Sequence, residues 1–171
     1  MGISFVARCA AVRFVALFTL CCGPALVTHA EEPLQACALV GKPDFERITA
    51  RTTYFEPEQM SLAGGTGSLC EFESGQVWLY PGDKSGASWE SVVKGFGNQD
   101  DPRTPVEGLG DRAYSFSPTP RNEYQDTGIF IVVTEGDTTF VASVMTVGDE
   151  PVESVRPLAM ELARFVLAKL P

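Results

Sequence analysis

"GIFIVVTEGDTTFVASVMTV", residues 128–147, holds two apolar, β-branched runs on either side of Glu135-Gly136-Asp137. Runs of this composition favour strands, and a glycine–aspartate pair between them predicts a tight hairpin. The first run is apolar from Ile129 through Val133. Both its faces are therefore expected to be covered, as in a central strand.

Working outward, "RAYSFSP" (112–118) reads as another strand, as do "LCEFES" (69–74) and "QVWLYPG" (76–82), which part at Ser74-Gly75. "TTYFEPEQM" (52–60) is a further candidate that Pro57 must end or confine to an edge. The glycine-rich "SLAGGTGS" (61–68) reads as a turn. "KPDFERITA" (42–50) predicts a short helix with Pro43 in its first turn and Phe45 and Ile48 on one side. Trp89, Val92, Val93 and Phe96 fall at the spacing of one apolar helical face. Over residues 151–170 a last helix places Val155, Leu158, Leu162, Phe165, Val166 and Leu170 on one stripe. Pro157 is either in its first turn or at a kink. No repeat, low-complexity tract or linker divides the chain. The order α-β-β-β-α-β-β-β-α, with tight links between strands, predicts a single α+β domain over residues 31–171. Its mainly antiparallel sheet is packed against N-terminal, middle and C-terminal helices.

The N-terminus reads as an export signal. Arg8 and Arg13 precede the apolar run "FVALFTLCC" (14–22), Gly23-Pro24 breaks it, and "THA" (28–30) places small residues where a signal peptidase cuts. Residues 1–30 are the expected leader, removed near Ala30, and the run is too short to span a bilayer. The expected location is periplasmic or secreted. A lipid anchor is not expected. Leu20 and Cys21 directly precede Cys21 and Cys22, and "LQAC" (34–37) lies well beyond the apolar run.

Removing that leader changes what chemistry is open. Thirteen basic residues become eleven against twenty-two acids, so the net charge of −9 becomes −11. The one histidine, His29, leaves with the leader, as do Cys9, Cys21 and Cys22. No histidine-based triad, cysteine–histidine pair or histidine-ligated zinc site can then be built. Cys37 and Cys70 remain, and two cysteines in an exported chain predict one disulfide. Its loop would stabilise the fold by roughly 3–4 kcal/mol. An acidic surface disfavours nucleic acid and anionic membrane as partners, since both require basic patches.

Few residue patterns carry chemistry. The acidic loop "NQDDP" (98–102) lacks the spacing of a calcium loop, so no metal or cofactor is expected. Asp101 and Glu107 could serve a histidine-free glycosidase, but a chain with 22 acids offers many such pairs. Trp78, Tyr80 and Trp89 could form a binding platform, although their spacing on strand and helix faces fits a core role better. In "VEGLGDRAYSF" (106–116), Gly108 and Gly110 can take positive φ, Leu109 can tuck inward, and Asp111 can accept backbone N–H bonds. A phosphate cradle needs its glycines after a strand and before a helix, whereas this turn precedes a strand. A structural turn at Gly108, Leu109, Gly110 and Asp111 is the expectation.

"CALV" at Cys37, the second cysteine at Cys70, "VEGLGDRAY" and the C-terminal "LAMELARFVLAKL" occur together in this order. The arrangement resembles a family of exported bacterial proteins of unknown function. These are often lipoproteins that open with Cys-x-Leu-Leu and carry a Gly-Leu-Gly-Asp turn before a strand. Here Val40 replaces the second leucine, and no lipobox precedes a cysteine. The resemblance implies a small extracytoplasmic α+β domain with a cysteine bridge and no assigned catalysis.

The expected function is thus a non-enzymatic extracytoplasmic domain that binds a small ligand or an envelope protein. One competing expectation is a histidine-free, carboxylate-based hydrolase. The other is a structural or inhibitory envelope protein. A cleft with two convergent carboxylates, one with a raised pKa, would mark the hydrolase, and a groove lined mainly by aromatics would mark the binder.

Overall fold

The computed structural model describes residues 34–62, 67–96, 101–120 and 127–171, with the backbone alone at 93–96. The expected leader (1–30), part of the glycine-rich turn (63–66), residues 97–100 of the acidic loop and the side chains of Val93 and Phe96 lie outside the described residues. In chain order the elements are α1 (Ala36–Leu39), α2 (Lys42–Thr49), β1 (Glu58–Ser61), β2 (Ser68–Phe72), β3 (Gly75–Pro81) and α3 (Ala87–Phe96). They continue with β4 (Thr104–Pro105), β5 (Arg112–Phe116), β6 (Gly128–Glu135), β7 (Thr138–Met145), a 3-10 turn (Val152–Val155) and α4 (Arg156–Leu167).

The hairpin read from residues 128–147 is present, with Glu135 opposite Thr138 across the turn at Gly136-Asp137. All strand pairs are antiparallel, in the order β1-β2-β3-β7-β6-β5-β4. Two local meanders therefore meet at one seam, β3 against β7, where Leu79 lies opposite Phe140 and Trp78 opposite Val141. The domain is α+β.

Side chains alternate across a strand, so β6 supplies both faces of the sheet. Ile129, Ile131 and Val133 join Phe140, Ala142, Val144, Val77 and Leu79 in one buried cluster. Above them α4 buries Ala159, Leu162, Ala163 and Val166, with Pro157 in its first turn. α2 adds Phe45, whose ring stacks on Phe72 at 4.1 Å. On the other face Phe130, Val132 and Val141 pack with Tyr80, Phe116 and the fully buried Trp89 of α3. Helices thus cover both sides of β6, as its uniform apolarity requires.

The strand expected at residues 52–60 forms over Glu58–Ser61 only. Proline has no N–H to give a ladder, and pairing begins just past Pro57. Upstream of it, carboxylates take the backbone donors instead: Thr53 N donates to Glu46 Oε1 (2.8 Å) and Tyr54 N to Glu73 Oε2 (3.0 Å). α1 and β4, four and two residues long, are too short to show a period and were not expected.

The entrance to α3 is closed by Asp83. Its Oδ1 accepts from Ala87 N (3.1 Å) and its Oδ2 from Ser88 N (2.9 Å). Burial pushes the Asp83 pKa up, but the Ser88, Ser85 and Ala87 donors outweigh it, leaving the group below its ordinary 3.8. A carboxyl depressed in the folded state stabilises the fold above the unfolded pKa, and that contribution is lost as pH falls through the folded value. Asp83→Ala is accordingly expected to cost about 1 kcal/mol at neutral pH, with the gap to wild type narrowing in urea melts as pH falls below the ordinary 3.8. An unchanged gap would show that the cap does not depend on charge.

Candidate functional site

The segment between α2 and β1 carries the most exposed aromatics among the described residues. Ala50 adopts a left-handed conformation (φ 53°) and ends α2. The next residues then run across the rim of the sheet, held by Glu46 and Glu73. Because the backbone is anchored from one side, Tyr54 and Phe55 project outward, 80% and 72% exposed. Large aromatics at that exposure cost solvation, and a pair of them is a surface feature that calls for an explanation.

Two clefts open beside this pair and share Glu73. The larger, about 670 Å³, is lined by Arg51, Tyr54, Glu73, Ser74, Val147 and Glu150, among others. Within it Arg51 donates to Met145 O (2.6 Å) and pairs with Glu150. Val147, also 60% exposed, stands at the rim. The smaller cleft, about 350 Å³, lies between Phe55 and Phe72 and is bordered by Glu56, Glu58, Glu71 and Glu73.

The electrostatics of the larger cleft bear on acid–base chemistry. Burial raises the Glu150 pKa, but the Val147 N–H and the Arg51 guanidinium outweigh it, and the net shift is downward. Asp44, Asp83 and Glu153 are also lowered. A carboxylate hydrolase needs one carboxyl raised to act as a general acid, and Glu150 is held in the opposite state.

A third hollow, about 330 Å³, lies between α3 and β5. There Arg103 donates twice to Glu90 (2.6 and 2.7 Å), Tyr114 OH donates to the same carboxylate (2.7 Å), and the guanidinium lies 5.0 Å over the Tyr114 ring. Burial, and then the Glu90 contact, push the Tyr114 pKa up, so the phenol stays protonated. Each group answers another, and together they tie α3 to β5.

The residues singled out in the sequence are placed elsewhere. Cys37 of α1 and Cys70 of β2 form a disulfide (S–S 2.09 Å), beside Ala36 N donating to Ser68 Oγ (2.9 Å). Gly108 and Gly110 take φ of 70° and 64°, and Leu109 between them is buried. Asp111 Oδ2 accepts from Gly136 N (2.9 Å) and Asp111 N donates to Thr134 O (2.9 Å), so this turn grips the β6–β7 hairpin. Trp78, Tyr80 and Trp89 lie in the second core cluster, with the Trp78 and Trp89 rings 5.6 Å apart. Asp101 is buried and accepts from Thr119 N and Oγ1, whereas Glu107 is exposed. Residues 98–100 of the acidic loop lie outside the described residues. Among the described residues no group of side chains is placed to hold a metal, and no helix is long and apolar enough to cross a membrane.

Sequence reasoning missed Arg51, Tyr54, Phe55, Glu73 and Glu150. One local signal was available: two adjacent aromatics just before a proline cannot both face a core from a strand that the proline forbids. Comparison with known proteins finds no matching family model, no matching curated protein and no matching solved structure.

Proposed function

We propose that this chain is an exported, extracytoplasmic, non-enzymatic domain that binds a small ligand or a partner protein at the cell envelope, and that it does so at the Tyr54–Phe55 rim. The observation that carries the reading is the pair of exposed aromatics flanking two clefts that share Glu73. Aromatic side chains present large rigid area with little entropy to lose, which suits recognition better than solvent. The export pattern at residues 1–30 and the Cys37–Cys70 bridge support an oxidising compartment. The resemblance to exported proteins carrying a Gly-Leu-Gly-Asp turn supports the same location.

Native mass spectrometry of protein purified from its own host tests the proposal. Wild type is expected to carry a bound mass that the Tyr54→Ala/Phe55→Ala variant loses. Both side chains are exposed, so the variant's unfolding free energy from urea melts is expected to stay within about 0.5 kcal/mol of wild type. A bound mass retained by that variant would move the site away from this rim.

A further inference from the structure

We propose that the open edge of the sheet at β1, with Tyr54 and Phe55 beside it, takes up a basic, extended segment of a partner polypeptide as an added strand. This rests on the binding reading above and names the partner's chemistry. β1 pairs with β2 on one side and with no strand of the described residues on the other. Leu62 N donates to Gly67 O (3.0 Å), and hydrogen-bonded pairs alternate along an antiparallel ladder. Gln59 and Ser61 therefore turn their backbone N–H and C=O groups outward. Such an edge is a template for strand addition.

Charge selects the occupant. Glu56, Glu58, Glu71 and Glu73 border the cleft beside Phe55, and Glu58 stands directly opposite Glu71 in the β1–β2 register. Like charges facing each other across a strand pair destabilise it, and a cation laid along the edge relieves that cost. Among the described residues no cation pairs with Glu58, Glu71 or Glu73, while Lys42 reaches Glu56 at 3.5 Å. Lysine or arginine stems can also lie on the exposed faces of Tyr54 and Phe55. A second copy of this chain would bring the same carboxylates to the same edge, so self-pairing is opposed where a basic strand is favoured.

Fluorescence anisotropy with a labelled, end-blocked peptide alternating lysine and valine tests this. Binding is expected at low salt and should weaken about tenfold or more on approaching ~1 M salt. It should fall about tenfold with Glu58→Gln/Glu71→Gln, and similarly with Ser61→Pro, which removes an outward N–H. The glutamine pair leaves the edge backbone intact and keeps the test independent of any folding defect in the proline variant. A glutamate–valine peptide is expected not to bind. A lysine–valine peptide N-methylated at alternate amides is expected to bind about tenfold more weakly. Equal binding of the methylated peptide would mean attraction without strand addition, and binding of the glutamate peptide would mean no charge selection; either overturns the proposal. Dimerisation abolished by Ser61→Pro, without peptide binding, would make a second copy the occupant and also overturn it. If no peptide binds while Tyr54→Ala/Phe55→Ala still loses a co-purified mass, this proposal fails and the binding reading stands. If that variant keeps both its co-purified mass and its peptide affinity, both fail.

Discussion

Gly110→Ala is expected to lower stability by about 2–4 kcal/mol, and Gly108→Ala by about 1 kcal/mol. Both glycines sit in the left-handed region, which a β-carbon resists, so both variants carry that cost. Space makes the difference. A Cβ on Gly110 would lie 2.7 Å from Val133 Cγ1 and 2.8 Å from Thr134 O, and the carbonyl belongs to the main chain of β6. A Cβ on Gly108 would meet nothing within 4 Å. Nor can the turn retreat, because Leu109 is buried in the core and Asp111 is bonded to the β6–β7 hairpin. Asp111→Asn is expected to cost less than Gly110→Ala, since an amide oxygen still accepts from Gly136 N. Urea melts of the three variants give the ranking. Equal midpoints for the two glycine variants would refute the steric account. Wild-type melting of both would turn this loop into a candidate binding site.

Loss of the Cys37–Cys70 bridge is expected to cost roughly 3–4 kcal/mol in a Cys37→Ala/Cys70→Ala variant, because the unfolded chain regains the freedom of a loop spanning 33 residues of separation. The bridge is not an isolated staple. α1 is four residues long and cannot hold itself together, so its position depends on this bond, on the burial of Ala36 and Leu39, on the acceptors Ser68 Oγ and Gln59 Oε1, and on Lys169 Nζ donating to Leu39 O. Removing the bond is therefore expected to loosen α1 against the sheet as well as to lower the midpoint. Thiol titration of the unreduced, denatured protein should find essentially no free thiol. Two titratable thiols per chain would contradict the pairing.

What could be read from the sequence was what depends on near neighbours. The β6–β7 hairpin was legible because its apolar, β-branched runs and its glycine turn all lie within twenty consecutive residues. The covering of β6 on both faces followed from Ile129 to Val133 alone, and the positive φ of Gly108 and Gly110 from their residue type in a turn. Beyond the hint that Pro57 gives, the geometry of the rim at Tyr54 and Phe55 was not legible. Its geometry depends on Glu73, nineteen residues on, taking the Tyr54 N–H, and on Arg51 reaching Met145, ninety-four residues away. Nothing in the local pattern encodes such bonds. The partner of Asp111 was hidden for the same reason: a capping carboxylate was foreseeable, but its target on the β6–β7 turn lies twenty-five residues downstream.

The seam between β3 and β7 also has a kinetic meaning. The strands of each meander find their neighbours nearby in the chain, whereas pairing Leu79 with Phe140 closes a loop of about sixty residues. The entropy of that closure must be met before the seam's contacts repay it, so docking of the two halves is expected to be the slow, late event in assembly. The Cys37–Cys70 bond lies wholly on the N-terminal side of the seam and does not shorten the loop. Oxidation can pre-order the first half without accelerating the docking. α4, which seals the cluster that spans both halves, follows every strand of the sheet in chain order. Until α4 docks, the apolar face of the joined sheet stays open, and exposed apolar surface of that kind favours aggregation.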